Sequence, residues 1–197
     1  MMDPLVESRL PTKFGGYRIV AFESDVIEMP TLALVSDNFD PTSELATIVR
    51  VHSECMTGDV FGSSRCDCGA QLSTSITKIQ EEGGVLIYLR QEGRGIGLVE
   101  KLKAYNLQDK GQDTYEANVN LGHPEDGRSF EAAIEVLRFL EVKKIKLLTN
   151  NPDKVGAFDD VKDIEVVERV PLTVGLVPEN EEYLESKRVV KGHFFKK

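Results

Sequence analysis

From about residue 70 onward the sequence alternates between helical and strand periodicity, and this alternation restricts the possible folds more than any other feature. Gln71 to Gln80 places Leu72, Ile76 and Ile79 at helical spacing, and Val85 to Leu89 is an unbroken apolar run of strand length. A helical stretch follows from Leu98 to Asp109. Phe130 to Leu140 then carries a broad apolar stripe of Phe130, Ala133, Ile134, Val136, Leu137 and Leu140. Ile145–Leu148 and Ile164–Val167 read as strands with a short helix after Pro152 between them, and a last helix near Glu181–Val190 leads into a basic tail. Ahead of this region, Tyr17–Phe22, Thr31–Val35 and Ala46–Val51 are short, rich in branched or aromatic residues and bounded by Gly, Pro, Asp or Ser, as strands are. The pattern predicts an α/β fold, a mixed β-sheet with helices on its faces, and leaves the strand order open.

Composition narrows the function classes. The 197 residues suffice for one sizeable domain, and 41% hydrophobic with 29% charged residues is the profile of a soluble globular chain. No apolar run reaches the length needed to span a bilayer, so no membrane partner is expected, and nothing at the N-terminus resembles a secretory signal. A formal net charge of −9 argues against a nucleic-acid partner, while a local basic pocket for a small polyphosphate is compatible with it.

All three cysteines fall between positions 55 and 68, as Cys55, Cys66 and Cys68. Three thiolates can hold zinc tetrahedrally with one position open for water, the arrangement of a catalytic rather than a structural site. The odd count argues against a disulfide framework, and reduced thiols place the chain in the cytoplasm. The competing reading is a closed structural site with His52, three residues before Cys55, as fourth ligand.

Between a strand and a helix stands the turn Arg90-Gln91-Glu92-Gly93-Arg94-Gly95-Ile96-Gly97. Its glycines let the backbone approach an anion, and Arg90 and Arg94 can add charge-assisted hydrogen bonds. It matches neither standard nucleotide fingerprint, and a plain tight turn is an equal alternative. Thr149 and Lys154 lie just after another strand, where α/β proteins gather ligands, although Asn150-Asn151-Pro152 also reads as an ordinary turn and helix start. Asp126 and Arg128 occupy a loop before the helix at Phe130 and suit either a proton acceptor and phosphate contact or a solvated helix start. Tyr105 is open between core packing and a hydroxyl aimed at a reaction centre.

Taken in order, Arg50-Val51-His52-Ser53-Glu54-Cys55, Cys66-Asp67-Cys68-Gly69, Arg90-Gln91-Glu92-Gly93-Arg94, Gln108-Asp109-Lys110-Gly111, Glu116-Ala117-Asn118 and Leu148-Thr149-Asn150-Asn151-Pro152 resemble the GTP cyclohydrolase II family over almost the whole chain. The resemblance implies a single catalytic domain over residues 1–197, an α/β/α layered fold, a homodimer, one Zn²⁺ per subunit and Mg²⁺ with the GTP phosphates. It implies that Cys55, Cys66 and Cys68 bind zinc. GTP would be contacted by Arg50, Val51, His52, Ser53, Glu54, Gln71, Glu92, Gly93, Arg94, Thr114, Thr149 and Lys154. Asp126 would be the proton acceptor, Arg128 the group acting at the α-phosphate, and Tyr105 a hydroxyl near the zinc-bound water. The implied reaction turns GTP and water into formate, pyrophosphate and 2,5-diamino-6-(5-phosphoribosylamino)pyrimidin-4(3H)-one, the first step of riboflavin biosynthesis.

One departure is local: Gly127 and Ser129 stand where the family often carries acidic residues. The second catalytic domain to which such enzymes are sometimes fused is not in this sequence, so a single activity is expected. Zinc nucleobase deaminases share His52-Ser53-Glu54 as His-x-Glu, but they require Pro-Cys-x-x-Cys where this chain has Cys66-Asp67-Cys68. The rival outside enzymology is a regulatory paralogue that binds zinc and nucleotide without turnover.

Overall fold

The computed structural model describes residues 2–24 and 29–195. Seven strands form one sheet among the described residues: β1 (Pro4–Thr12), β2 (Gly15–Phe22), β3 (Thr31–Ser36), β4 (Thr47–Ser53), β5 (Gly84–Leu89), β6 (Lys144–Leu148) and β7 (Glu165–Val170), in the order β1-β2-β3-β5-β4-β6-β7. β1, β2, β3 and β5 pair antiparallel, whereas β5, β4, β6 and β7 pair parallel. The sheet is therefore mixed, and β5 is the strand at which its direction rule changes.

Side-chain alternation along the central strands splits the interior in two. Val49, Val51, Val85, Ile87 and Leu89 face one side, where helix α5 (Glu131–Phe139) lays down Ala133, Val136 and Leu137. Ile48 and Leu86 face the other, against Ile79 of α2 (Cys68–Glu82). Strands covered on both faces are apolar at nearly every position, which is why β5 reads as a continuous run. Helices thus layer both faces of the sheet.

The expected strands and helices are present with ends shifted by a few residues, together with α3 (Leu98–Gln108), α6 (Pro152–Gly156) and α7 (Glu181–Lys191). Three elements had no counterpart in the sequence reading. β1 is an edge strand with an almost wholly exposed surface and a proline near each end, so it shows no apolar alternation. The one-turn helix α1 (Met56–Asp59) and α4 (Thr114–Asn120) are too short for periodicity. α4 starts from a capping box in which Asp113 accepts from the Tyr115 and Glu116 amides and the Glu116 side chain accepts from the Asp113 amide.

Because β4, β5 and β6 are parallel, their carboxyl ends lie along one edge of the sheet. The segments that leave those ends, 54–68, 90–97 and 149–154, meet there, and they hold most of the chemically expressive residues.

Candidate functional site

The three cysteines converge. Cys55 caps α1, Cys66 lies in the following loop and Cys68 opens α2, and their sulfurs all lie within 4.8 Å of one another. The Cys55 and Cys66 sulfurs are 3.7 Å apart. Two glycines permit this closeness. A Cβ on Gly58 would stand 2.9 Å from Cys66 Sγ and 3.3 Å from Cys55 Sγ, and one on Gly69 would stand 2.3 Å from the Gly58 carbonyl oxygen. The cluster fits zinc by donor number, softness and spacing.

His52 is not a fourth member. Its Nε2 is 3.0 Å from Asp59 Oδ2, and burial lowers its pKa against the pull of that carboxylate, so the ring is neutral and donates from Nε2. The same Asp59 oxygen accepts from the Cys55 amide at 3.0 Å and the Tyr88 hydroxyl at 2.8 Å. Asp59 is therefore the anchor that fixes Cys55.

Lys101 of α3 reaches the cluster from the opposite side. Its ammonium donates to Cys55 Sγ at 3.1 Å, to Thr57 Oγ1 at 2.9 Å and to Glu92 Oε1 at 2.8 Å. Burial opposes its charge, but Cys55 and Glu92 outweigh burial and hold the ammonium above the ordinary lysine value. The Cys55 thiol is in turn held far below its ordinary value, first by the Cys66 and Cys68 thiols and then by Lys101. One turn along α3, Tyr105 places its hydroxyl 3.2 Å from Thr57 Oγ1, and burial raises its pKa.

The cluster forms one end of a cleft whose remaining wall is cationic, with Arg50, Arg94, Arg128, Lys154 and Lys187 all lining it. Arg50 donates to the Leu148 carbonyl at 2.9 Å and to Gln71 Oε1 at 2.6 Å, and its Nε has no protein partner. Ser53 Oγ in the same wall is likewise unpartnered. Lys154 donates to the Val51 carbonyl at 2.7 Å. Burial, then repulsion from Arg50 and Arg128, pushes its pKa well below the lysine value.

Gly93 and Arg94 both have left-handed backbones, with φ of 61° and 62°. That costs about 1–2 kcal/mol at the non-glycine residue. The conformation sets the Arg94 guanidinium 2.9 Å from Thr114 Oγ1 and 4.3 Å above the Tyr115 ring.

Arg128 and Asp126 form a two-pronged pair, Nε to Oδ1 at 2.8 Å and Nη2 to Oδ2 at 2.5 Å. Burial alone would lower the arginine, but Asp126 outweighs it and keeps the guanidinium more firmly protonated than usual.

Of the residues anticipated from sequence, Arg50, His52, Ser53, Glu54, Gln71, Glu92, Gly93, Arg94, Tyr105, Thr114, Arg128, Thr149 and Lys154 line this cleft with the cysteines. Glu54 is paired with Arg90 at 2.9 Å, and Thr149 Oγ1 accepts from the Asn151 amide. Val51 turns its side chain into the core and offers only its carbonyl, and Asp126 is held to the cleft through its pair with Arg128. Sequence reasoning missed Asp59, Lys101 and Lys187. Lys101 stands four residues before Tyr105, so helical spacing places both on one face. Lys187 carried no local signal.

The family model described as GTP cyclohydrolase II matches residues 4–171. The chain is 48% identical over 194 residues to "GTP cyclohydrolase-2" of Acinetobacter baumannii (strain SDF), covering 98% of this chain and 96% of that one. It is 48% identical over 191 residues to "GTP cyclohydrolase-2" of Haemophilus influenzae (strain PittGG), covering 96% and 88%. The "Riboflavin biosynthesis protein RibBA" of Bacillus cytotoxicus is 47% identical over 189 residues, 95% of this chain but only 47% of the relative, so the chain spans about half the length of that protein. A family match over most of its length and relatives 48% identical over nearly the whole chain show that the chain belongs to the GTP cyclohydrolase II family of enzymes.

Proposed function

We propose that this chain hydrolyses GTP to 2,5-diamino-6-(5-phosphoribosylamino)pyrimidin-4(3H)-one, formate and pyrophosphate, the entry reaction of riboflavin biosynthesis, within one catalytic domain over residues 1–197. The observation that carries the reading is the junction of a three-thiol cluster with a cationic cleft, in a chain whose net charge is −9. One end suits ring opening and the other suits a polyphosphate.

Cys55, Cys66 and Cys68 would hold one zinc ion per subunit, which when bound supplies the Lewis acidity that hydrolysis at guanine C8 requires. The protein groups divide the remaining work. Lys101 lends positive charge beside Cys55 and, with Glu92, ties the cluster to the glycine-rich turn. Tyr105 retains its phenolic proton at neutral pH and reaches the cluster through Thr57, so it can hold a proton for the ring-opening half.

Arg50, Lys154 and Arg94 take the nucleotide and its phosphates, with Mg²⁺ accompanying the pyrophosphate leaving group. The Asp126 pairing makes Arg128 a poor nucleophile and favours its action as a charge clamp at the α-phosphate, with ionised Asp126 as the proton acceptor beside it. The functional unit is a homodimer in the cytoplasm. Free thiols at all three cysteines and the absence, among the described residues, of any helix long and apolar enough to cross a membrane are compatible with that location.

The deciding experiment incubates zinc-loaded protein with GTP and Mg²⁺ and quantifies formate, pyrophosphate and the diaminopyrimidine together. Equal amounts of all three establish the reaction. Pyrophosphate without formate would mean that the zinc half is silent, and no product despite bound zinc and GTP would favour a regulatory protein.

A further inference from the structure

The family match ends at residue 171, yet the chain beyond it does not leave the site. After β7 it passes α2 at Gly175, whose missing Cβ would stand 2.6 Å from Ala70 Cβ, and then turns into α7. Tyr183 and Lys187 of that helix, and His193 after it, line the same cleft as Arg50, Arg128 and Lys154.

Lys187 is bound into the floor of the site. Its ammonium lies 3.0 Å from Oδ1 of Asp67, the residue between two of the cluster cysteines, and the two side chains are 12% and 2% exposed. Asp67 Oδ2 accepts from Gln71 Nε2 at 2.5 Å, and Gln71 Oε1 accepts from Arg50 at 2.6 Å. A continuous polar chain therefore runs from the α7 helix to the buried arginine of β4. The outer end of the segment is fastened by Lys191 to Glu125 at 2.8 Å and by the Phe194 amide to the Asn150 carbonyl at 2.9 Å.

Burial lowers the His193 pKa to about 3, and repulsion from Lys187, Arg128 and Lys154 adds to the effect. These basic groups line one cleft, where the Lys187 ammonium is held by Asp67 and by Tyr183, whose ring centroid lies 4.1 Å away. Asp67 and Asp126 pair with Lys187 and Arg128, and among the described residues no carboxylate pairs with Lys154 or Arg50, so basic groups outnumber their carboxylate partners in this cleft, the electrostatic signature of a polyanion site.

We propose that the C-terminal segment Pro178–Phe195 is part of the nucleotide site and that Lys187 is a phosphate-binding residue, aimed at the polyphosphate together with Arg128 and Lys154. Identification of the phosphates as those of GTP rests on the function proposed above. The assignment of Lys187 to a phosphate chain does not.

The test uses the full chain, zinc-loaded, and calorimetric binding of inorganic tripolyphosphate with Mg²⁺ and, separately, of guanosine. Lys187→Ala should weaken tripolyphosphate binding about ten- to hundredfold, the scale of one charge-assisted hydrogen bond, and leave guanosine binding unchanged. Lys187→Arg should restore most of the loss. Because removing the ammonium strands Asp67, Lys187→Gln, which can still donate to that carboxylate, is the second variant and should show the same selective loss. Equal weakening toward guanosine and tripolyphosphate, or no weakening of either, would overturn the assignment, as would a wild type that does not bind tripolyphosphate. A wild type that binds tripolyphosphate but leaves GTP intact would refute the GTP reaction while the variants still decide the role of Lys187.

Discussion

Lys101 Nζ stands 3.1 Å from Cys55 Sγ, and it is the one cation in direct contact with a cluster sulfur among the described residues. Three thiolates around a divalent ion carry one net negative charge, and a buried ammonium beside them cancels it. An outer partner of this kind sets the affinity of a site as much as an additional ligand can. Lys101 also touches Glu92, which accepts from the Met56 amide at 2.6 Å and the Gly93 amide at 2.8 Å. Glu92, anticipated as a substrate contact, lines the cleft and also bridges the thiol cluster to the glycine-rich turn.

Lys101→Met should accordingly lose zinc to a competing chelator at about ten- to hundredfold lower chelator activity than the wild type. Retention equal to wild type would show that the ammonium does not support the cluster. Lys101→Arg keeps the charge and should fall between the two.

Asp126→Asn removes the charge that holds Arg128 in its two-pronged pair. Pyrophosphate release should fall by about a hundredfold or more, within the range for removal of a positioned acid–base group. Zinc content should be unchanged, because neither residue touches the cluster. Trapping of a GMP adduct on Arg128 would contradict the clamp role.

Lys154 makes a prediction about protons. Burial and neighbouring cations depress its pKa in the ligand-free cleft, and a bound polyphosphate favours the ammonium and raises it again. Lys154 should therefore contribute proton uptake to GTP binding at any pH above its depressed pKa. Calorimetry in two buffers of different ionisation enthalpy measures the number, and Lys154→Met should reduce it. An equal proton count in wild type and Lys154→Met would show that Lys154 does not change its protonation when the nucleotide arrives.

Gly58 within α1 and Gly62 just after it separate steric from conformational effects. Gly58→Ala drives a methyl to 2.9 Å from Cys66 Sγ and 3.0 Å from Cys68 Cβ. It should cost about 1–3 kcal/mol and lower zinc stoichiometry at limiting metal. Gly62→Ala meets no atom within 4 Å but must hold φ near 66°, which costs about 1–2 kcal/mol with zinc binding unaltered. Metal analysis alongside thermal unfolding distinguishes them, and equal zinc loss in both would contradict the packing argument.

Periodicity disclosed the elements that carry a buried stripe, such as α5 and β5, because burial is what periodicity records. It was silent on β1, whose exposed surface leaves no pattern, and on α1 and α4, which complete too few turns. The thiol cluster was legible because its ligands share a short stretch and one chemistry. The support around it was not. Asp59 acts locally on Cys55 and His52 but does not share the cysteines' chemistry, whereas Lys101 and Lys187 reach the cluster and Asp67 only across 46 and 120 residues. The strand order, and with it the shared edge of β4, β5 and β6, depends on pairings that no local window contains.

The two ends of the cleft differ in how much chain must be gathered to build them. Cys55 and Cys66 are separated by 11 residues, whereas the contacts of Arg50 with Leu148, Lys154 with Val51 and Lys187 with Asp67 span 98, 103 and 120. Closing a short loop is the smaller entropic cost, and long-range pairing through β4 and β6 is intrinsically slower. A nascent chain emerging N-terminus first therefore exposes its thiols before any cation beyond residue 148 has been synthesised. The soft-donor end of the cleft is thus written in one short stretch, and its cationic end takes shape only when β6, α6 and α7 dock against it.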